Sequence, residues 1–129
     1  MGEILIITNN DKVWNTYQEK CKCILLTTYL EVLEKVRDQV HEGGILLTHP
    51  MASSLKPNQT PYRSIILEVG ERLPMDMMSL TMIEQALETY QKFVAHKKLP
   101  EYSEAVKEDF KTIDASLMKS AFVNWRGGL

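Results

Sequence analysis

The sequence predicts an α/β protein: a three-layer α/β/α single domain over residues 1–129, with a mainly parallel, doubly wound, Rossmann-like sheet of about four strands and C-terminal helices. Three observations predict it. Short apolar runs alternate with amphipathic helical segments in the first half of the chain, the pattern of strands joined by crossover helices. The runs are nearly continuous in apolar residues, as expected for strands covered on both faces. Beyond about residue 79 the helical period alone remains.

Glu3 to Thr8 is the first such run, and Thr8-Asn9-Asn10-Asp11 after it offers side chains that cap a helix. That helix carries Val13, Trp14 and Tyr17 and is expected to end near Lys20. Cys23 to Thr27 is the second run. Thr28-Tyr29-Leu30-Glu31 then forms a capping-box pattern, in which hydroxyl and carboxylate satisfy each other's backbone donors. The next helix keeps Leu30, Leu33, Val36 and Val40 on one face, and Gly43 suits the left-handed position that stops it.

Ile45 to Thr48 is the third run and Ser64 to Val69 the fourth. A central first strand is expected. The fourth strand, parallel or antiparallel, is expected at an edge, because no crossover helix precedes it. A long helix should start at Ser79 or Thr81 and run to Lys97 or Lys98, with Leu80, Ile83, Leu87, Tyr90 and Val94 as its apolar seam. The last helix should span about Ser103 to Phe122, with Val106, Phe110, Ile113, Leu117 and Ala121 inward, before an irregular tail from about residue 123. Self-association through Trp125 and Leu129 and folding of that tail on its own domain are both open.

Composition narrows the function classes. The chain is 44% hydrophobic and 25% charged, with a formal charge of -2, so neither nucleic acid nor an anionic membrane is an expected partner. Met1 to Ile7 lacks the basic n-region of a secretory signal, and no apolar run approaches a membrane span; a cytoplasmic protein is expected. Two cysteines one residue apart, Cys21 and Cys23, fit a reducing compartment. They are read as packed structural residues, since no second cysteine pair or matching histidine pair completes a metal set. No glycine-rich nucleotide loop follows the first strand, and no cofactor is expected.

Hydrogen-bonding capacity concentrates between Thr48 and Ser64, where Pro50, Pro57 and Pro61 also restrict the backbone. In an open parallel sheet this loop and Thr8-Asn9-Asn10 would share the carboxyl edge, where such sheets bind ligands. The candidate binding residues are Thr8, Asn9, Asn10, Thr48, His49, Ser53, Ser54, Lys56, Asn58, Thr60 and Tyr62, with Arg63 a further donor. Their chemistry suits an anion or a carbonyl-rich partner. The same asparagines and threonines also serve as caps and turn residues. His49 is the candidate acid/base, although histidines before proline at strand ends are more often structural and no oriented acid or Gly-x-Ser-x-Gly elbow accompanies it.

Several segments in order resemble the GrdX family: Leu5-Ile6-Ile7-Thr8-Asn9-Asn10, Lys35 to Gly43, Leu46-Leu47-Thr48-His49-Pro50, Ser54 to Ser64 with its Lys56-Pro57-Asn58-Gln59-Thr60-Pro61-Tyr62 core, and Phe110 to Leu117. The resemblance implies an accessory protein of the glycine, sarcosine or betaine reductase system of anaerobic bacteria, a selenium-dependent Stickland route to acetyl phosphate. It implies no catalytic residues. Gly43-Gly44 stands where the family pattern has Gly-His, so a two-histidine site is not implied. The expected function is therefore a noncatalytic accessory or regulatory role, with a small anionic metabolite or a reductase component bound at residues 48–64. The alternatives are a small transferase or hydrolase using His49 on an acyl or phosphoryl intermediate, and redox work by Cys21 and Cys23.

Overall fold

The alternation of the first half is realised element by element. In the computed structural model, which describes residues 2–50, 60–70, 74–96 and 100–124, β1 (Glu3–Thr8), α1 (Asp11–Tyr17), β2 (Lys22–Leu25), α2 (Tyr29–His41) and β3 (Ile45–Leu46) follow in order. β4 (Ser64–Val69), α3 (Met77–His96) and α4 (Glu104–Asn124) complete it.

Short-range chemistry sets most helix ends. Asn10 caps α1 by accepting from Lys12 N at 3.0 Å. Thr28 and Glu31 form the expected capping box on α2: Glu31 N donates to Thr28 Oγ1 at 3.1 Å, and Thr28 N donates to Glu31 Oε1 at 2.9 Å. At its other end Gly43 has φ 103°, a left-handed conformation favouring glycine. Gly43 N then donates to Val40 O and Gly44 N to Gln39 O, a Schellman closure. A Cβ on Gly44 would stand 2.8 Å from Gln39 O, so the close backbone approach also requires the second glycine.

Several of the predicted boundaries move. α1 stops at Tyr17 rather than Lys20, and α3 begins at Met77 because Asp76 Oδ2 takes both the backbone N (3.0 Å) and the hydroxyl (2.6 Å) of Ser79. Residues 123 and 124, expected in the irregular tail, are still helical, while Trp125 and Leu129 lie outside the described residues. So do Lys97 and Lys98.

The sheet corrects the mainly parallel, Rossmann-like expectation. Its order is β2-β1-β4-β3, and only β1 and β2 pair in parallel; β4 runs antiparallel to both β1 and β3. β1 is interior, as expected. β4 is interior too, not at an edge. The physical reason lies in the connection. The chain leaves β3 at its carboxyl end, and β4 starts at that same end of the sheet, so the strand runs back. Position follows from burial: Ile65, Ile66 and Leu67 are all buried, so this strand needs cover on both faces.

β3 is the short outer strand on that side. Beyond its two residues the pairing continues through Leu47 N to Ile66 O at 2.9 Å and through Ile66 N to the Thr48 hydroxyl at 3.1 Å. Its outward amide is covered as well, since Leu46 N donates to Ser79 Oγ at 2.9 Å.

The two sheet faces carry separate apolar clusters. Leu5, Ile7, Ile65 and Leu67 pack with α2 and α3, through Val32, Leu33, Val36, Ile83 and Leu87 among others. Ile6 and Ile66 pack with α1 and α4, through Val13, Tyr17 and Met118. The seam predicted for α3 holds for Ile83 and Leu87. On α4 it does not: Ile113 and Leu117 are each 44% exposed, whereas Asp114 and Met118 are buried. The inward face is turned because a carboxylate, treated as a surface residue by any apolar pattern, is part of it.

Interior placement of β4 has a direct thermodynamic consequence. Ile66→Ala and Leu67→Ala, which point to opposite faces, should each lower the unfolding free energy by about 2–5 kcal/mol in urea denaturation. A cost well under 1 kcal/mol for either would contradict a strand covered on both sides.

Candidate functional site

β1 and β4 meet with Thr8 opposite Ser64, so these two hydroxyls share one face at the end of the sheet. That face carries α4. Ser64 Oγ donates to Asp114 Oδ2 at 2.6 Å, and Thr8 Oγ1 lies 2.6 Å from Ser64 Oγ. With the serine proton committed to the carboxylate, the threonine is the donor in the second bond. Thr8 Oγ1 in turn accepts from Asn10 N at 2.9 Å, and Asn10 Nδ2 donates to Asp114 Oδ2 at 3.0 Å and to Lys111 O at 2.9 Å. All four side chains are buried.

Asn9 serves the neighbouring backbone. Its Nδ2 donates to Pro61 O at 2.7 Å and its Oδ1 accepts from Arg63 N at 2.9 Å, fixing the entry to β4. Thr60 Oγ1 accepts from Tyr62 N at 3.3 Å within the same turn. Of the predicted binding residues, then, Thr8, Asn9, Asn10 and Thr60 have protein partners and shape the site. Thr48 and His49 line a cavity of about 110 Å³ together with Arg63, Ser64, Asp114, Leu117, Met118 and Ala121. Tyr62 and Thr60 line a smaller adjoining space that shares Arg63 and Asp114. Ser53, Ser54, Lys56 and Asn58 lie outside the described residues.

Arg63 is the distinctive group. It is 5% exposed, and its Nε donates to Tyr29 OH at 3.1 Å. Burial raises the Tyr29 pKa, with the Arg63 charge opposing, so the phenol stays neutral and available as an acceptor. Arg63 Nη2 is buried with no hydrogen-bond partner among the described residues. A buried, unsatisfied guanidinium N–H is costly and calls for an acceptor. The cavity it lines is several times the ~10–15 Å³ that one water requires.

Asp114 was not among the residues that sequence reasoning selected. The available signal was an acid at helical spacing from Phe110, Met118 and Ala121, but an isolated acid on a helix ordinarily faces water. Lys111 belongs to the same seam. Its Nζ bonds Asp11 at 3.1 Å and Glu108 at 3.2 Å, and Lys12 Nζ reaches Glu108 at 3.0 Å, so α1 and α4 are clipped together at the surface.

A broader, open depression of about 660 Å³ lies by Cys21 and Cys23, lined also by Lys20, Lys22 and Gln39. Both thiols are free, half-buried and packed beside the α1/α4 cluster, the same side for both. Burial raises both pKa values, that of Cys23 to about 11, which opposes thiolate chemistry. Among the described residues no group of His, Cys, Asp and Glu side chains has the geometry to hold a metal, and no helix is long and apolar enough to cross a membrane.

A family model described as GrdX-like protein matches residues 5–123, nearly the whole chain, and the chain belongs to that family. Among curated proteins and among solved structures nothing matches it.

Two measurements bear on the surroundings of the site. Hydrogen bonds from Lys12 and then Lys111 hold the Glu108 carboxyl below its ordinary range. A depressed folded pKa means that the contribution of Glu108 is present above the unfolded value of about 4.3 and is lost as pH falls through the folded one. The stability gap between the parent and Glu108→Gln should therefore be constant near neutrality and shrink below about pH 4.3 in urea titrations; a gap that widens there would contradict the clip. For the thiols, a pKa of about 11 leaves on the order of 10⁻⁴ of Cys23 as thiolate at pH 7. Aromatic-disulfide labelling should run more than about tenfold slower on the folded protein than in denaturant, and equal rates would revive a redox role.

Proposed function

We propose that this GrdX-like protein is a noncatalytic accessory or regulatory component of the glycine, sarcosine or betaine reductase system, and that it senses a small anionic metabolite in the cavity between β4 and α4. The observation that carries the reading is the buried Arg63 Nη2, without a hydrogen-bond partner among the described residues, on a side chain whose residue lines a cavity together with Thr48 and His49. Guanidinium groups bind carboxylate and phosphate through directed, charge-assisted hydrogen bonds, and low dielectric strengthens them. Family membership supports the reductase context.

The residues around Arg63 favour holding over converting. Ser64 is buried, donates to Asp114 and accepts from Thr8, which ties its hydroxyl into the network that joins β4 to α4. His49 lines the same cavity and keeps the enzyme reading testable. In the accessory reading His49→Ala changes affinity only, and acetyl phosphate incubated with the protein stays intact beyond its spontaneous hydrolysis.

The direct test is calorimetric titration with acetate and with inorganic phosphate at low ionic strength, paired with reductase turnover with and without the protein. Arg63→Gln should weaken anion binding by about 10–100-fold, the loss expected for a charged hydrogen bond. It should also remove any effect of the protein on turnover. Anion affinity unchanged in Arg63→Gln would sink the assignment.

A further inference from the structure

The geometry points to a more specific ligand class: we propose that the cavity takes a small zwitterion, its carboxylate on Arg63 and its ammonium group on Asp114. This rests on the anion-binding reading above and adds the second pole. Arg63 and Asp114 are 5% and 7% exposed and line the same cavity of about 110 Å³. Neither has a charged hydrogen-bond partner among the described residues. Arg63 uses Nε on the neutral Tyr29 phenol and leaves Nη2 unpartnered, while Asp114 Oδ2 accepts from Ser64 and Asn10, both neutral.

Two buried opposite charges beside one small space, each lacking an ionic partner, are costly as they stand. A bare anion would answer Arg63 but bring a like charge towards Asp114. A bare cation would answer Asp114 and meet repulsion from Arg63. A molecule carrying both charges a few atoms apart satisfies the two poles at once, and like-charge opposition inside a low-dielectric site rejects the singly charged competitors.

Size and lining restrict the class further. The cavity has room for only a handful of heavy atoms, and Leu117, Met118 and Ala121 present an apolar wall to the stem between the charged ends. The Ser64 proton is already committed to Asp114, while Thr48 Oγ1 accepts from Ile66 N and keeps its own proton to donate. Recognition thus falls chiefly on the two charges.

The test is titration of the full chain, followed by calorimetry and amide chemical shifts, with three probes at equal ionic strength: glycine, acetate and methylammonium. Glycine should bind at least tenfold more tightly than acetate, and methylammonium should not bind measurably. Asp114→Asn, which keeps an acceptor for Ser64, should bring glycine down to the acetate level, and Arg63→Gln should weaken both by about 10–100-fold. In the unmodified protein, ω-amino acids of increasing length should lose affinity stepwise, which reads the spacing without any substitution. Acetate binding as tightly as glycine, with both still dependent on Arg63, would overturn the zwitterion and leave the anion site standing. Binding of neither would remove both.

Discussion

The single oxygen Oδ2 of Asp114 is the constraint on which this end of the molecule depends. It accepts from Ser64 at the start of β4 and from Asn10 at the cap of α1, while Asp114 itself belongs to α4. One carboxylate oxygen thereby ties three elements. Its demand for donors also orders the rest: Ser64 must give its proton inward, Thr8 must donate to Ser64, and Thr8 is left to accept from Asn10 N. Such a chain is cooperative, and breaking one link leaves a buried polar group without its partner, at a cost of about 1–3 kcal/mol.

The two helical layers are consequently held in different ways. α2 and α3 meet the sheet through a broad apolar cluster and meet each other through Tyr29 and Tyr90, whose ring centroids are 5.2 Å apart. α4 has a thinner apolar contact, Met118 with the small side chains Ala115 and Ala121, supplemented by Asp114 and by the Lys111 and Glu108 clip to α1. Polar pins fix position without filling volume. Where the sheet ends and the small residues of α4 pass over it, space remains, and that space is the cavity.

What was legible in the sequence follows the range of the interactions concerned. The Thr28 and Glu31 capping box, the Asn10 cap and the Gly43 stop are settled within a few residues, and all were readable. The apolar runs identified all four strands, but Ser64 to Val69 is apolar toward both faces, a property that parallel and antiparallel interior strands share. Its direction and its place beside β1 were therefore hidden. On α4 the periodic seam pointed to Val106, Ile113 and Leu117, because hydrophobic pattern cannot register a face whose central contact is a carboxylate. Asp114 acquires its meaning only from Ser64, 50 positions away, and from Asn10, 104 away. Arg63 stood among the donors of the loop, yet nothing local distinguished its buried, half-satisfied guanidinium from a solvated one.

The reversed direction of β4 is also what gives the site its residues. In a wholly parallel sheet the residues just before a strand lie at the amino edge, opposite the crevice where ligands collect. Because β4 runs against β1 and β3, its amino end joins the carboxyl ends of β1 and β3, and Ser64 comes to lie opposite Thr8. Asn9 then grips Arg63 N and Pro61 O, setting the guanidinium beside Tyr29 and the cavity. A parallel fourth strand of identical sequence would send Arg63 to the far edge, away from Thr8 and Asn9. The departure from the expected topology and the assembly of the binding pole thus have the same origin: β4 starts at the edge where β3 ends, so the chain returns to the edge it had just left.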